Sequence, residues 1–426
     1  MSLLNPFIYS RSLTPMEFEG RRSELNKIFG RLATGQSVAV IGQPHIGKTS
    51  MLEFIQDDTA RRNRFGDQFN IFTFSYLDIL AIQNLQSQKD FWRHAIEPLY
   101  NLDFAAALSR QAEQEGFTNL ALETLFEGLN KTNRRLVLLL DEFDAFLSHR
   151  ALNTPDFYGG LRTLASRSGG LVLVIAARKP LQVLNQLTQE INPHGSPYFN
   201  VFVEIQLGAL KPDAFNTLLN RGADLLTTTD HEYIQRVSGR HPYLAQTAAA
   251  MLWDAHDEGL DGEELYRSAS QNLYRQSRQH FADTWNFWTN AMRKAVTAVA
   301  LSQIPKLLSE HRFRVGELVD DFDDFGPELD TLQVSGTLVK NNSDEWLIAQ
   351  DALLWWLADE LRRNVRDDET AFGDWIRAQE MDNLLTQREK EKLNAAASSV
   401  ASLLGKGSVT LIESLAKGFG EALLKK

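Results

Sequence analysis

Lys48 and Thr49 follow Gly42-Gln43-Pro44-His45-Ile46-Gly47 and precede Ser50, and these residue types at this spacing suit the holding of a polyphosphate. Gly42 and Gly47 allow a turn whose backbone N–H groups converge on phosphate oxygens at the positive end of a helix. Lys48 would reach the β- and γ-phosphates, and the Thr49 hydroxyl would bind Mg²⁺. The stretch from Gly42 to Ser50 therefore reads as a P-loop, with ATP and Mg²⁺ as the expected cofactors. The plainer alternative is an ordinary glycine turn into a helix.

A second cluster, Asp141-Glu142-Phe143-Asp144, closes the continuous apolar run Leu136 to Leu140. Such a run is expected of a strand covered on both faces. An acidic residue at its end can support Mg²⁺, which is the role expected for Asp141. Glu142 can orient or deprotonate a water. Helix capping by Asp141 or Asp144 is the competing reading. Arg178 stands after a third apolar run, Gly170 to Ala177, where a cation could stabilise γ-phosphate charge or simply sit in a solvated loop.

These residues need a scaffold, and the hydrophobic pattern supplies one. Ser37 to Ile41 leads into the glycine turn and Met51 to Ile55 follows it, giving strand, turn and helix in order. Strands are expected over Phe69 to Tyr76, Leu136 to Leu140, Gly170 to Ala177 and Asn200 to Gln206, with helices between them. Five strands interleaved with helices imply a mostly parallel, doubly wound α/β sheet. Beyond Leu207 helices dominate, including one that starts at Pro242. Gly336 to Lys340 and Glu345 to Ala349, about an Asn341-Asn342-Ser343-Asp344 turn, form a hairpin behind helices, as in a winged helix.

With 426 residues, 43% hydrophobic and 23% charged, the chain is of globular composition and long enough for two or three domains. It has no cysteine, which excludes disulfides and thiolate zinc sites and fits a reducing cytoplasm. A net charge of −11 argues against a surface given over to nucleic acid, although a local basic face remains compatible with it. The N-terminus lacks the features of a signal peptide, and no apolar window is long enough to span a bilayer.

The last stretch is amphipathic. Thr386-Gln387-Arg388-Glu389 has capping-box spacing, and Gly405-Lys406-Gly407 interrupts the helix it begins. Leu404, Leu411, Ile412, Leu415, Phe419 and Leu423 share one helical face, opposite Lys406, Glu413, Lys417 and Glu421. A lysine near a bilayer centre costs about 2.5–3.5 kcal/mol, which disfavours a single span. The helix could lie in a membrane interface, pack with copies of itself, or dock on its own protein.

Taken together, Phe18-Glu19-Gly20-Arg21, Gly42 to Thr49, Leu138 to Asp144, Arg178 and Gly239-Arg240-His241-Pro242 resemble the signal-transduction ATPases with numerous domains, the STAND class, and related AAA-type archaeal ATPases. The resemblance covers about residues 5–363. It implies that Lys48 and Thr49 bind phosphate and Mg²⁺, that Asp141 supports the metal, that Glu142 is the catalytic base and that Arg178 is the sensor. That family commonly has Gly-Gly before His-Pro, and Arg240 replaces the second glycine here, leaving lid geometry and any His241 contact open. No repeat array follows the hairpin, which leaves the mode of activation open.

The expected organisation is an arm (1–17), a P-loop NTPase domain (18–208), a helical lid (209–284), a winged-helix-like domain (285–363) and a C-terminal helical tail (364–426). The expected function is a slow, Mg²⁺-dependent ATPase switch controlling oligomerisation or release of the tail, in prokaryotic signalling or defence. The expected partners are ATP or ADP, further copies of the chain on activation, and a membrane surface reached through 386–426. The expected location is the cytoplasm, with membrane association on activation. The alternative is a DNA-binding, initiator-like or regulatory ATPase.

Overall fold

The computed structural model describes residues 4–193, 195–308, 310, 313–320, 322–364 and 371–424. The chain divides into two compact units. One comprises Ser12–Gln43 and Gly47–Leu207, and the other comprises the residues up to Arg11, Pro44–Ile46 and the chain from Gly208 onward.

The first unit is built on five strands: β1 (Ser37–Ile41), β2 (Phe72–Asp78), β3 (Arg135–Asp141), β4 (Leu171–Ala177) and β5 (Phe202–Gln206). Their order is β2-β3-β4-β1-β5, and every pairing is parallel. β1 and β4 are buried along their whole length, as apolar runs without alternation require of strands covered on both faces. The covering helices include α1 (Arg22–Ala33), α2 (Lys48–Gln56), α3 (Asn119–Lys131) and α4 (Pro155–Arg167). The register pairs Ile41 with Ala177 and Asp78 with Asp141, so the ends of these strands meet at one edge.

Two sequence expectations shift here. β2 starts at Phe72 rather than Phe69, because Gly66–Ile71 forms a 3₁₀ turn. The guanidinium of Arg61 lies 5.0 Å from the Phe69 ring centroid and that of Arg62 4.4 Å, which draws this ring toward a helix instead of the sheet. β5 likewise starts at Phe202 rather than Asn200.

The second unit contains α5 (Thr228–Ser238), α6 (Pro242–Asp257), α7 (Gly262–Phe287), α8 (Asn290–Leu307), α9 (Gly326–Val334), α10 (Asp351–Asn364), α11 (Ala371–Ala378), α12 (Gln387–Leu404) and α13 (Ser408–Leu424). The antiparallel hairpin β6 (Leu338–Lys340) and β7 (Trp346–Ile348) lies between α9 and α10, as a winged helix requires. One continuous core runs from Phe7 through the lid helices and the hairpin to Leu415 and Ala416. Helix α7 passes uninterrupted through the expected lid boundary at 284. The N-terminal arm is docked in this unit, with the Ile8 N–H donating to Gln246 Oε1 at 2.9 Å and Phe7 set edge-on to Trp253.

The tail is folded against the same core. Thr386 and Glu389 form the expected capping box at the start of α12. Inside the core, Glu389 Oε1 also accepts from Lys294 Nζ at 3.1 Å, and both side chains are about 95% buried. In α13, Leu411, Ile412 and Leu415 are buried, and Phe419 packs edge-on to Tyr233 at 5.6 Å and against Tyr266 at 5.4 Å. Gly420 explains part of the tail's glycine content: a Cβ there would lie 2.7 Å from the backbone nitrogen of Glu263, so only glycine lets α13 approach α7 this closely. The Leu423 side chain lies outside the described residues. Among the described residues no single helix is long and apolar enough to cross a membrane, although α12 and α13, bent by 62°, reach that length and composition together.

Candidate functional site

The parallel register brings three sequence-distant segments to the carboxyl edge of the sheet. Gly42 follows β1, and its N–H donates to Ala177 O at 3.2 Å. Gly47 precedes α2 with φ of 96°, a left-handed conformation that favours glycine. Among the described residues no side chain caps the α2 N-terminus, so its N–H groups and positive end suit an anion. Gln43 is buried, and His45, with φ of 59°, is exposed at the crown of the turn. Pro44–Ile46 cluster with the helical unit, within which the His45 ring lies 4.9 Å from Tyr243.

Lys48 is buried, and its Nζ donates to the carbonyls of Gly42 at 3.0 Å and Gln43 at 3.1 Å. Burial lowers its pKa to about 8, a shift that the nearby Glu142 carboxylate opposes. At that pKa it stays largely charged near pH 7, and a buried ammonium resting on carbonyls is suited to a polyanion, which would raise the pKa again. Thr49 is half-buried in the first turn of α2. Ser50 faces another way, because its Oγ accepts from the Leu13 N–H at 3.0 Å and so anchors the arm.

At the end of β3, Asp141 is 2% exposed; its Oδ2 accepts from Tyr76 Oη at 3.0 Å and its Oδ1 from the Glu142 N–H at 2.9 Å. Burial, with the Asp141 charge, raises the Tyr76 pKa, so the phenol stays a donor. Glu142 has φ of 49°, a strained position for a side-chain-bearing residue. Its Oε2 accepts from Arg178, at 2.9 Å from Nη2 and 3.2 Å from Nε. The two residues are partly exposed, so the pair is solvent-screened.

Sequence reasoning missed two contributors. Tyr76 reads as one more aromatic residue of a strand, and its link to Asp141 spans 65 positions. Asp144 is more than a helix cap: its carboxylate accepts from the N–H groups of Arg178 at 2.6 Å and Lys179 at 3.0 Å, clamping the turn that presents Arg178. A turn N–H pair directly after a buried strand was the only signal available for it.

In the helical unit His241 is buried ahead of α6, and its ring lies 5.1 Å from that of His280. Burial, with His45 nearby, lowers the His280 pKa to about 3, so this ring is neutral near pH 7. Arg240 has φ of 63°, which shows why a glycine would also suit its position.

Residues 35–304 match the family model described as Novel STAND NTPase 2. The chain belongs to that family. The matched stretch begins before β1, takes in the P-loop, Asp141, Glu142 and Arg178, and ends in α8. The fold of this STAND NTPase is similar to that of the Walker-type ATPase of Pyrococcus abyssi, with a TM-score of 0.51 and 14% identity over 83% of this chain and 99% of that one. The ORC2 protein of Aeropyrum pernix, solved in ADPNP–ADP complexes, gives 0.48 and 17% over 82% and 96%. A STAND protein of Pyrococcus horikoshii with a tetratricopeptide repeat sensor gives 0.35 and 15% over 94% and 52%. None of the curated proteins compared with the chain matches it.

Proposed function

We propose that this STAND NTPase is an ATP-binding, slowly hydrolysing, Mg²⁺-dependent switch whose nucleotide state controls release or self-association of α12 and α13. The observation that carries the reading is the tail's seat on the lid: Phe419 of α13 packs against Tyr233 of α5 and Tyr266 of α7. A change in lid packing would alter the surface that holds the tail.

The residues at the sheet edge fit a nucleotide. The uncapped α2 N-terminus and the Lys48 ammonium match phosphate charge, and Thr49 and Asp141 would hold Mg²⁺, which supplies charge neutralisation between the phosphates. Glu142 would orient the attacking water and take its proton as the water oxygen bonds to the γ-phosphorus and the bond to the β-phosphate oxygen breaks. Arg178 would offset the charge on the transferred group. Glu142 already accepts from Arg178, which weakens it as a base and supports slow turnover.

Similarity to a protein described as a Walker-type ATPase supports hydrolysis. The signalling or defence role, like self-assembly on activation, rests on the family. DNA binding draws less support, because hairpin Lys340 is paired with Asp344 and Lys306 with Glu345. Calorimetric titration tests the site: Lys48→Ala should weaken ATP binding by at least about a hundredfold, the loss expected for more than one charge-assisted contact. Unchanged ATP affinity would remove Lys48 from the site.

A further inference from the structure

The middle and C-terminal part of α7 carries residues that the nucleotide site does not use. With α10 and α11 it lines an open cavity of about 490 Å³, a volume ordinary for small-ligand sites. Trp285, Trp356 and Trp375 are among its lining residues and are 4%, 7% and 6% exposed, so each presents only a small part of its ring. Trp285 lies 5.5 Å from Trp356 and is stacked 6.0 Å from Trp375. The Trp285 indole N–H is already taken, donating to Gln379 Oε1 at 2.7 Å, so this indole offers the cavity an apolar surface rather than a donor.

The rim has the opposite chemistry. Among the described residues, Arg275, Arg278 and Arg363 line it with a single carboxylate, Glu360. Glu360 is paired with Arg363 at 3.4 Å. Arg275 donates to Asn272 Oδ1 at 3.2 Å and Arg278 lies over the Tyr274 ring, and among the described residues neither has a carboxylate partner. This local excess of guanidinium stands in a chain whose net charge is −11. Planar, fixed-fork cations match phosphate oxygens, and both guanidinium planes and indoles accept a flat ring.

We propose that this cavity binds a small phosphate ester carrying a planar ring, of nucleoside monophosphate size, at a site of its own apart from the P-loop. Arg275 and Arg278 take the phosphate, and the ring lies against the exposed part of the lining tryptophans. Arg363 connects the site to the tail. It stands 4.0 Å from Asp359 Oδ2, while Asp359 Oδ1 accepts from the Ser408 N–H at 2.8 Å and thereby caps α13. The Tyr274 hydroxyl donates to the same carboxylate. An anion that draws Arg363 toward the cavity removes a cation from the residue that caps the tail. This coupling, unlike the binding site itself, rests on the switch proposed above.

The test is calorimetric titration and tryptophan fluorescence of the full-length Lys48→Ala chain with each of the four ribonucleoside monophosphates, with the matching nucleosides and with inorganic phosphate. At least one monophosphate should bind saturably, alter the emission, and bind at least about tenfold tighter than its nucleoside or phosphate alone, since both halves of the ligand are engaged. Arg275→Ala and Arg278→Ala should each weaken it about tenfold at an unchanged melting temperature. These arginines are exposed, so both variants keep the fold. No binding of any monophosphate, equal affinity for inorganic phosphate, or binding indifferent to both arginine substitutions would overturn the proposal. Titrating the arginine variants in the wild-type background as well, with ATP, distinguishes loss at this cavity from loss at the P-loop.

Discussion

The sheet edge and the tail interface hold their parts together by different means. At the sheet edge the holding groups are polar: Lys48 rests on the carbonyls of its own loop, and Glu142 and Asp144 engage Arg178 and its backbone across 34–36 positions. At the tail interface the holding groups are largely apolar and come from distant segments, as Tyr233, Tyr266 and Phe419 show. One region can exchange its partners for a ligand at little cost to the fold. The other trades directly against stability, which makes it the natural place for a state-dependent contact. Substitutions should therefore separate, with sheet-edge changes altering ligand affinity and tail changes altering stability.

The sharpest break of that contrast should come from Lys294, which joins α8 to the start of α12. Lys294→Met leaves Glu389 charged and buried, and denaturant unfolding should show a loss of about 3–5 kcal/mol. Adding Glu389→Gln should recover part of it, because glutamine keeps the capping box while removing the charge. A lone Lys294→Met variant as stable as the wild type would place this pair outside the energetics of the tail.

Leu415→Ala comes next. Leu415 is 4% exposed, and its truncation should cost about 2–5 kcal/mol. ATP affinity should hold, and proteolysis within α13 should rise first. If ATP affinity fell while α13 stayed protected, the separation between the two regions would fail.

The effect that is smallest near neutral pH is a pH dependence from His280. Its folded pKa, about 3, lies below the ordinary 6.5, so the neutral ring is favoured in the folded state and the unfolded chain takes up the proton first. Its contribution to stability is present above pH 6.5 and is lost as pH falls from there toward 3, at up to about 1.4 kcal/mol per pH unit. The stability difference between wild type and His280→Gln should change over that window and be flat above it. A difference independent of pH would show that the ring is not held neutral.

Much of the sheet edge was legible because its chemistry is contiguous. Gly42 to Ser50 and Asp141 to Asp144 are short runs directly after apolar strands, and a parallel register then has few ways to place them apart. What escaped the sequence depends on tertiary geometry: the Tyr76 hydroxyl on Asp141, Ser50 holding Leu13, and the Asp144 clamp on the turn after β4. In the helical unit the capping box of α12 and the hairpin were legible as local patterns. The seat of α13 was not, because an amphipathic face states that it must be covered and not by what. Gly420 against Glu263 and Asp359 at the Ser408 N–H are matches between surfaces that no spacing rule encodes.

The central claim is that nucleotide state governs the tail. Hydrogen exchange over the backbone amides of 408–421 measures this most directly, comparing the full-length chain loaded with ADP and the Glu142→Gln chain loaded with ATP, each against its nucleotide-free form. The account predicts slow exchange with ADP and faster exchange across that segment with ATP, which the Glu142→Gln chain is expected to retain without turning it over. Equal protection of 408–421 in both nucleotide states, with ATP shown to be bound, would contradict it.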